Sequence, residues 1–181
     1  MTTFQAVSGT GKLAQEELQL QSKQELQEEE TSSNVYAKQI AFNVLPHCDD
    51  FQENSYAFEE MKMIWETHRI LDPNIEIAAT CVRVPVMNGH SESVHIETTE
   101  QINIDIVKDS LNEAKGIKLT DGEGSESYKT ALEVDGSDLV HVGRIRMDLW
   151  NTKRLNLWIV ADNLRKGAAL NSIQIAEILF V

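Results

Sequence analysis

Two residues in the stretch TCVRVPVMNGHSESV, positions 80–94, could do chemistry together: Arg83, set in an apolar run, and His90, which follows Gly89. A guanidinium among apolar neighbours is costly unless a carboxylate or phosphate meets it, and its planar fork grips either group with two parallel hydrogen bonds. Imidazole gains and loses a proton near neutral pH. The pair therefore offers a clamp for an acid near a group able to move protons. The same residues also allow a plainer assignment, with Arg83 salt-bridged to an acid of the protein and His90 on a surface turn. Glu59 and Lys62 form a second cluster one helical turn apart. By itself that spacing describes an ordinary i,i+3 ion pair worth about 0.2–0.5 kcal/mol.

Near the amino end, QAVSGTGKLAQEEL at positions 5–18 begins like a phosphate-binding loop running into a helix. A triphosphate loop needs a glycine ahead of its Gly-Lys pair and a hydroxyl after the lysine. Here those places hold Ala6 and Leu13. Gly9 and Gly11 still let backbone N–H groups approach an anion or a cofactor at a helix N-terminus. The two cysteines, Cys48 and Cys81, are too far apart in sequence for a paired-cysteine metal motif, so no metal site is expected. Cys81 reads as a small buried hydrophobe. Cys48 stands beside His47, but adjacent residues rarely aim at one another, and neighbouring Asp49 and Asp50 would raise a thiol's pKa.

The elements that must position these residues follow from periodicity. Leu13, Glu17 and Leu20 lie at helical spacing in a segment reaching about Leu26, followed by the acidic loop QEEETSSN. KQIAFNVLPH reads as a buried strand or extended segment stopped by Pro46. YAFEEMKMIWETHRIL predicts a helix with Met61, Ile64, Trp65, His68 and Leu71 in one stripe and Glu59, Lys62, Glu66 and Arg69 opposite. A long strand is expected from Ile75 to Val86, with His90 at the turn leaving it, and another at SVHIETT. A helix ending at Gly116 follows, then a polar loop over 121–127. DLVHVGRIRMDL and RLNLWIVA flank the turn WNTK as two antiparallel strands. A closing helix begins near Asp162 or Asn163 and is apolar on two sides. The order predicts one α+β domain over 1–181, mainly an antiparallel sheet with flanking helices.

With 41% hydrophobic and 25% charged residues in a chain of 181, the composition is that of an ordinary globular domain. The net charge of −13 argues against nucleic acid or an anionic membrane as the main partner. No apolar run reaches the length of a membrane span, so a cytoplasmic protein is expected.

Taken in order, QAVSGTGK, QIAFNVLPH, EEMKM, ATCVRVPVMNGHSE, VGRIRMDL and LWIVADNLRKGAALNSIQIAE resemble consecutive blocks of the C-terminal half of the bacterial aspartate-semialdehyde dehydrogenase family. The resemblance covers nearly the whole chain. It implies the C-terminal catalytic and dimerisation fold of the glyceraldehyde-3-phosphate dehydrogenase-like enzymes. Such enzymes interconvert L-aspartyl phosphate and aspartate semialdehyde, with phosphate and NADPH, toward lysine (by way of diaminopimelate), threonine and methionine. By matched position, His90 would be the general acid/base and Arg83 the clamp for the substrate carboxylate. Glu59 would receive the substrate amino group, and Lys62 would help bind phosphate. Gln5 resembles the glutamine beside the catalytic cysteine, and Ser8, Gly9 and Asn163 match positions near substrate or nicotinamide. The glycine-rich stretch is then no triphosphate loop.

The resemblance also implies partners. The family's nucleophile belongs to an Asn-Cys motif upstream of the position that Gln5 matches, and neither Cys48 nor Cys81 matches it. NADP binding and covalent catalysis are therefore expected only with a dehydrogenase N-terminal half, against which the helix over 163–181 would pack. A homodimer is the other expected assembly. The alternative is a non-catalytic chain that pairs with itself or with a full-length subunit.

Overall fold

The first strand, β1 (Thr2–Gln5), is short because Ala6 passes directly into a 3-10 turn over Val7–Gly9. The computed structural model describes residues 1–180, in two compact units, Met1–Met87 and a second beginning at Asn88.

In the first unit β1 pairs in parallel with β2 (Thr80–Arg83), Thr2 opposite Thr80 and Gln5 opposite Arg83. The turn after β1 is tied to the segment after β2, since Val7 N–H donates to Val86 O (2.9 Å) and Ser8 N–H to Met87 O (3.2 Å). Gly11, at φ 115°, then starts α1 (Lys12–Leu26) in a conformation that side-chain-bearing residues avoid.

Of the three residues placed at helical spacing in α1, only Glu17 is buried. Leu13 and Leu20 are 70% and 53% exposed, whereas Ala14, Glu17, Leu18 and Gln21 are buried. The reason is a long irregular segment whose backbone needs partners. The Glu17 carboxylate accepts from the N–H groups of Asn34 (2.6 Å), Val35 (2.7 Å) and Tyr36 (3.3 Å). One turn on, the Gln21 carbonyl accepts from Ile40 (3.0 Å) and Ala41 (3.2 Å), while its amide donates to Ser32 O (2.9 Å). The apolar part of the same contact joins Val7, Ala14, Leu18, Ile40, Ala41 and Leu45. The segment expected as a buried strand or extended segment is thus no regular strand, with one bridge between Leu45 and Arg83.

Helix α2 spans Phe58–Ile70, but the predicted stripe is not its buried face. Trp65 and Leu71 are 48% and 72% exposed, and the buried residue of the helix is Glu60. Nor does a strand run from Ile75, because within residues 75–86 the strand partners belong to the four residues of β2.

The second unit contains β3 (His90–Glu97), α3 (Ile104–Glu113), β4 (Ile117–Thr120), α4 (Ala131–Val134), β5 (Val140–Met147), β6 (Arg154–Ala161) and α5 (Leu170–Phe180). His90 thus opens a strand instead of closing a turn. The strands lie in the order β3-β6-β5-β4, antiparallel except for the parallel pair β4/β5. With β1/β2 also parallel, the expected α+β fold has a mixed pairing, mainly but not purely antiparallel. Each parallel pair is joined by a long helical connection, as that geometry requires. The β5/β6 turn is fixed by Asp148, whose carboxylate accepts from Trp150 N–H (2.9 Å) and Asn151 N–H (3.0 Å). The Asn103 side chain caps α3 by accepting from Asp105 N–H (3.0 Å). Val107 and Leu111 of that helix cover Val142, Leu155 and Leu157.

The closing helix, expected to begin near Asp162 or Asn163, begins at Arg165. A π-helical segment over Arg165–Ala169 precedes α5, whose Ile178, Leu179 and Phe180 are largely exposed.

Replacing Gln21 with leucine strands the N–H groups of Ile40 and Ala41, and should lower the stability of the first unit by about 2–3 kcal/mol. Urea unfolding of Gln21→Leu against the parent chain measures this.

Candidate functional site

Parallel pairing sets Gln5 and Arg83 on one rung of the β1/β2 pair, both buried. Arg83 is 5% exposed, and its Nη1 donates to Ala6 O at 2.8 Å. Its Nε is buried with no hydrogen-bond partner, and Arg83 makes no ion pair among the described residues. The plainer assignment, a salt bridge to an acid of the protein, is thus not realised there. Instead Arg83 lines a cavity of about 330 Å³ with Thr10, Tyr36, His47, Cys48 and Asp49. Tyr36 donates its hydroxyl to Thr10 Oγ1 (2.9 Å), and burial raises its pKa.

Cys48 faces the same cavity but is no nucleophile. It is 2% exposed, and burial pushes its thiol up to about 12, outweighing the opposite pull of Arg83. Cys81 is fully buried, as expected of a small hydrophobe.

Helix α2 brings two adjacent acids to this region, and the structure separates their tasks. Glu60, 7% exposed, accepts from Ala57 N–H at the helix start (2.7 Å) and from Cys81 N–H in β2 (3.0 Å). Both its oxygens are committed to backbone, fastening α2 to the strand that carries Arg83. Glu59 instead receives Gln5 Nε2 at 3.4 Å and Lys62 Nζ at 2.9 Å. The bond to Glu59 raises the pKa of Lys62, with burial opposing. Gln5, Glu59, Lys62 and Arg83, drawn from three separate stretches, are therefore assembled in the first unit. Ser8 is buried in the 3-10 turn, Gly9 beside it is exposed, and open space surrounds the Cα of Gly11.

In the second unit the backbone before His90 is held on two sides. Gly89, at φ +89°, donates its N–H to Asn163 Oδ1 (2.8 Å). A Cβ at this position would lie 3.0 Å from Cβ and O of Ala131, so only glycine fits both the dihedral and the space. His90 then pairs with Ala161 at the end of β6, two residues before Asn163.

The sequence reading passed over several residues. Glu60 could have been found from the reciprocal half of a capping box, an acid three positions into a helix. Glu17 and Gln21 carry no local signal, because their partners lie on a distant irregular segment. His141 was also missed: its Nε2 lies 3.0 Å from Ser137 Oγ, and burial lowers its pKa. Its Nδ1 is buried without a partner, so this Ser-His contact lacks the acid that would complete a nucleophilic triad.

A family model described as semialdehyde dehydrogenase, dimerisation domain, matches residues 1–166. The aspartate-semialdehyde dehydrogenase of Shewanella violacea is 53% identical over 181 residues, covering 99% of this chain and 53% of that protein. A crystal structure of aspartate semialdehyde dehydrogenase II from Vibrio cholerae, complexed with ASA, superposes with a TM-score of 0.93 at 47% identity, over 98% of this chain and 53% of that one. The Candida albicans aspartate semialdehyde dehydrogenase with NADP is more distant, with a TM-score of 0.64 and 25% identity over 98% of this chain and 48% of that one. The chain spans about half the length of the curated relatives it matches.

Two outcomes follow from this geometry. Glu60→Ala leaves two backbone N–H groups without their acceptor and should cost about 2–3 kcal/mol, whereas Glu59→Ala should cost about 0.5 kcal/mol or less, as chemical unfolding of both will show. For Cys48 the raised pKa favours the neutral thiol in the fold. Its contribution to stability is full below the ordinary value of 9.0 and is lost as pH rises toward about 12. A thiol reagent at pH 8 should therefore leave both cysteines unmodified in the folded chain and label both in denaturant.

Proposed function

Since the chain belongs to the semialdehyde dehydrogenase dimerisation-domain family, we propose that it is the substrate-recognising and dimerising part of an aspartate-semialdehyde dehydrogenase. The reaction is the NADPH-dependent reductive dephosphorylation of L-aspartyl phosphate to aspartate semialdehyde, in lysine, threonine and methionine biosynthesis, and its compartment is the cytoplasm. One observation carries the reading: a buried guanidinium with an unmet N–H, lining a cavity and sharing a strand rung with Gln5.

The substrate presents a carboxylate, an ammonium and a phosphate, and the first unit offers a complement for each. Arg83 clamps the carboxylate, since its fork is spent on only one backbone carbonyl. Glu59 takes the ammonium; it exchanges its present contacts with Gln5 and Lys62 for that charge. Lys62, kept protonated by its acidic neighbour, meets phosphate. Gln5 orients the reacting group. In the second unit His90 is the general acid/base, giving a proton to the reacting carbonyl oxygen or taking one from it.

The nucleophilic thiol comes from residues outside these 181. Cys81 is fully buried and the Cys48 thiol is held neutral, so neither supplies it. The dinucleotide belongs to that same outside segment, with Ser8, Gly9 and Asn163 meeting the nicotinamide end. The exposed Gly9 and the open space at Gly11 fit the approach of a flat ring. NADP, when bound, supplies or receives hydride.

The test is reconstitution. The chain is mixed with the separately expressed N-terminal half of the Shewanella violacea enzyme, and phosphate-dependent NADPH formation from aspartate semialdehyde is followed. Activity is expected, with His90→Asn lowering kcat by about 10²–10⁴-fold and Arg83→Leu chiefly raising KM. No NADPH formation while both halves are folded would overturn the catalytic reading. Light scattering of the chain alone then decides whether a dimer remains to support a non-catalytic, partner-binding role.

A further inference from the structure

Asp162 precedes Asn163 and is 3% exposed, yet its carboxylate touches no cation among the described ion pairs. Both oxygens are occupied by backbone. Oδ1 accepts from Leu164 N–H (2.8 Å) and Arg165 N–H (3.2 Å), and Oδ2 from Gly136 N–H (2.8 Å). The carboxylate thus joins the start of the C-terminal helical segment to the turn that follows α4.

Those two elements are also the ones that hold Gly89. Asn163 Oδ1 receives the Gly89 N–H, and Ala131 at the start of α4 fills the space that a Cβ on Gly89 would need. Asp135, next to Gly136, receives Asn88 Nδ2 at 3.4 Å. We propose that Asp162 is a positioning residue for His90: by tying Gly136 to residues 164 and 165 it sets Asn163 and α4 at the spacing that fixes the Gly89 backbone, and with it the imidazole that follows. A capping acid needs only one oxygen for its helix. The second, spent on Gly136, is what links helix start to turn.

An asparagine at this position can keep the contacts to Leu164 and Arg165 but turns an NH₂ toward the Gly136 N–H, donor against donor. Serine keeps the cap and does not reach Gly136. The experiment uses the whole chain, isotopically labelled at glycine and histidine. It records amide exchange at Gly89 and the ring signals of His90 through a pH titration, in the parent, Asp162→Asn, Asp162→Ser and Asn163→Ala. In all three variants Gly89 exchange should accelerate about tenfold, the loss expected for one hydrogen bond. The His90 ring signals and their titration should move, and those of His95, farther along β3, should not.

Unchanged Gly89 exchange and His90 signals in folded Asp162→Asn would overturn the proposal. So would full retention of the parent behaviour by Asp162→Ser, which would reduce Asp162 to a helix cap. Loss of the second unit's dispersed signals in both Asp162 variants would make the carboxylate a determinant of folding and overturn it as well. The proposal rests on the reading of His90 as the acid/base, but its readout uses no substrate. A failed reconstitution and a failed coupling between Asp162 and His90 are therefore separate results.

Discussion

A guanidinium at 5% exposure with one N–H unmet is the constraint around which the first unit is organised. Leaving such a donor buried and unpaired costs about 1–3 kcal/mol, so the surroundings must hold it there against that cost. They do so through backbone. The parallel rung with Gln5 fixes the Arg83 main chain on one side, the bridge to Leu45 fixes it on the other, and Ala6 O takes one end of the fork. An arginine free to swing into solvent would be satisfied by water and would present nothing preorganised to an incoming acid.

The same logic explains why a chain of net charge −13 buries several of its acids. Glu17, Glu60 and Asp162 are each buried, and each accepts two or three backbone N–H groups, drawn from an irregular segment, helix starts, a turn and the strand β2. These carboxylates act as connectors, replacing the strand or helix ladders that irregular segments cannot form. Glu59, adjacent to Glu60, is the contrast: its partners are side chains, which can be exchanged for a ligand at little cost to the fold.

Exposed apolar surface marks where this chain stops satisfying itself. Ile178 and Phe180 of α5 are each 84% exposed, and full burial of such a side chain is worth about 1.5–3 kcal/mol. The two-sided apolar pattern read in the sequence corresponds to a helix with Ile173, Ile175 and Leu179 also exposed among the described residues.

The residues of the candidate site were legible in sequence because they lie in short, ordered blocks. The spacing of Arg83 and His90 and the Glu59/Lys62 pair are local facts, and so are the helix α3 and the β5/β6 hairpin. What the sequence could not fix were contacts between distant segments. It gave no sign that Glu60, next to Glu59, reaches across to Cys81 N–H. It set Leu13 and Leu20 with Glu17 on α1, but a pattern of apolar residues cannot anticipate that Glu17 and Gln21 turn inward to meet orphan backbone while both leucines stay exposed. It extended β2 to Ile75, because β-branched residues favour strands whether or not a neighbouring strand exists to pair with them. Residue type and spacing determined which groups are available for chemistry; tertiary structure decided which of them are already spent on backbone, because hydrogen-bond partners are allotted in space and not along the chain.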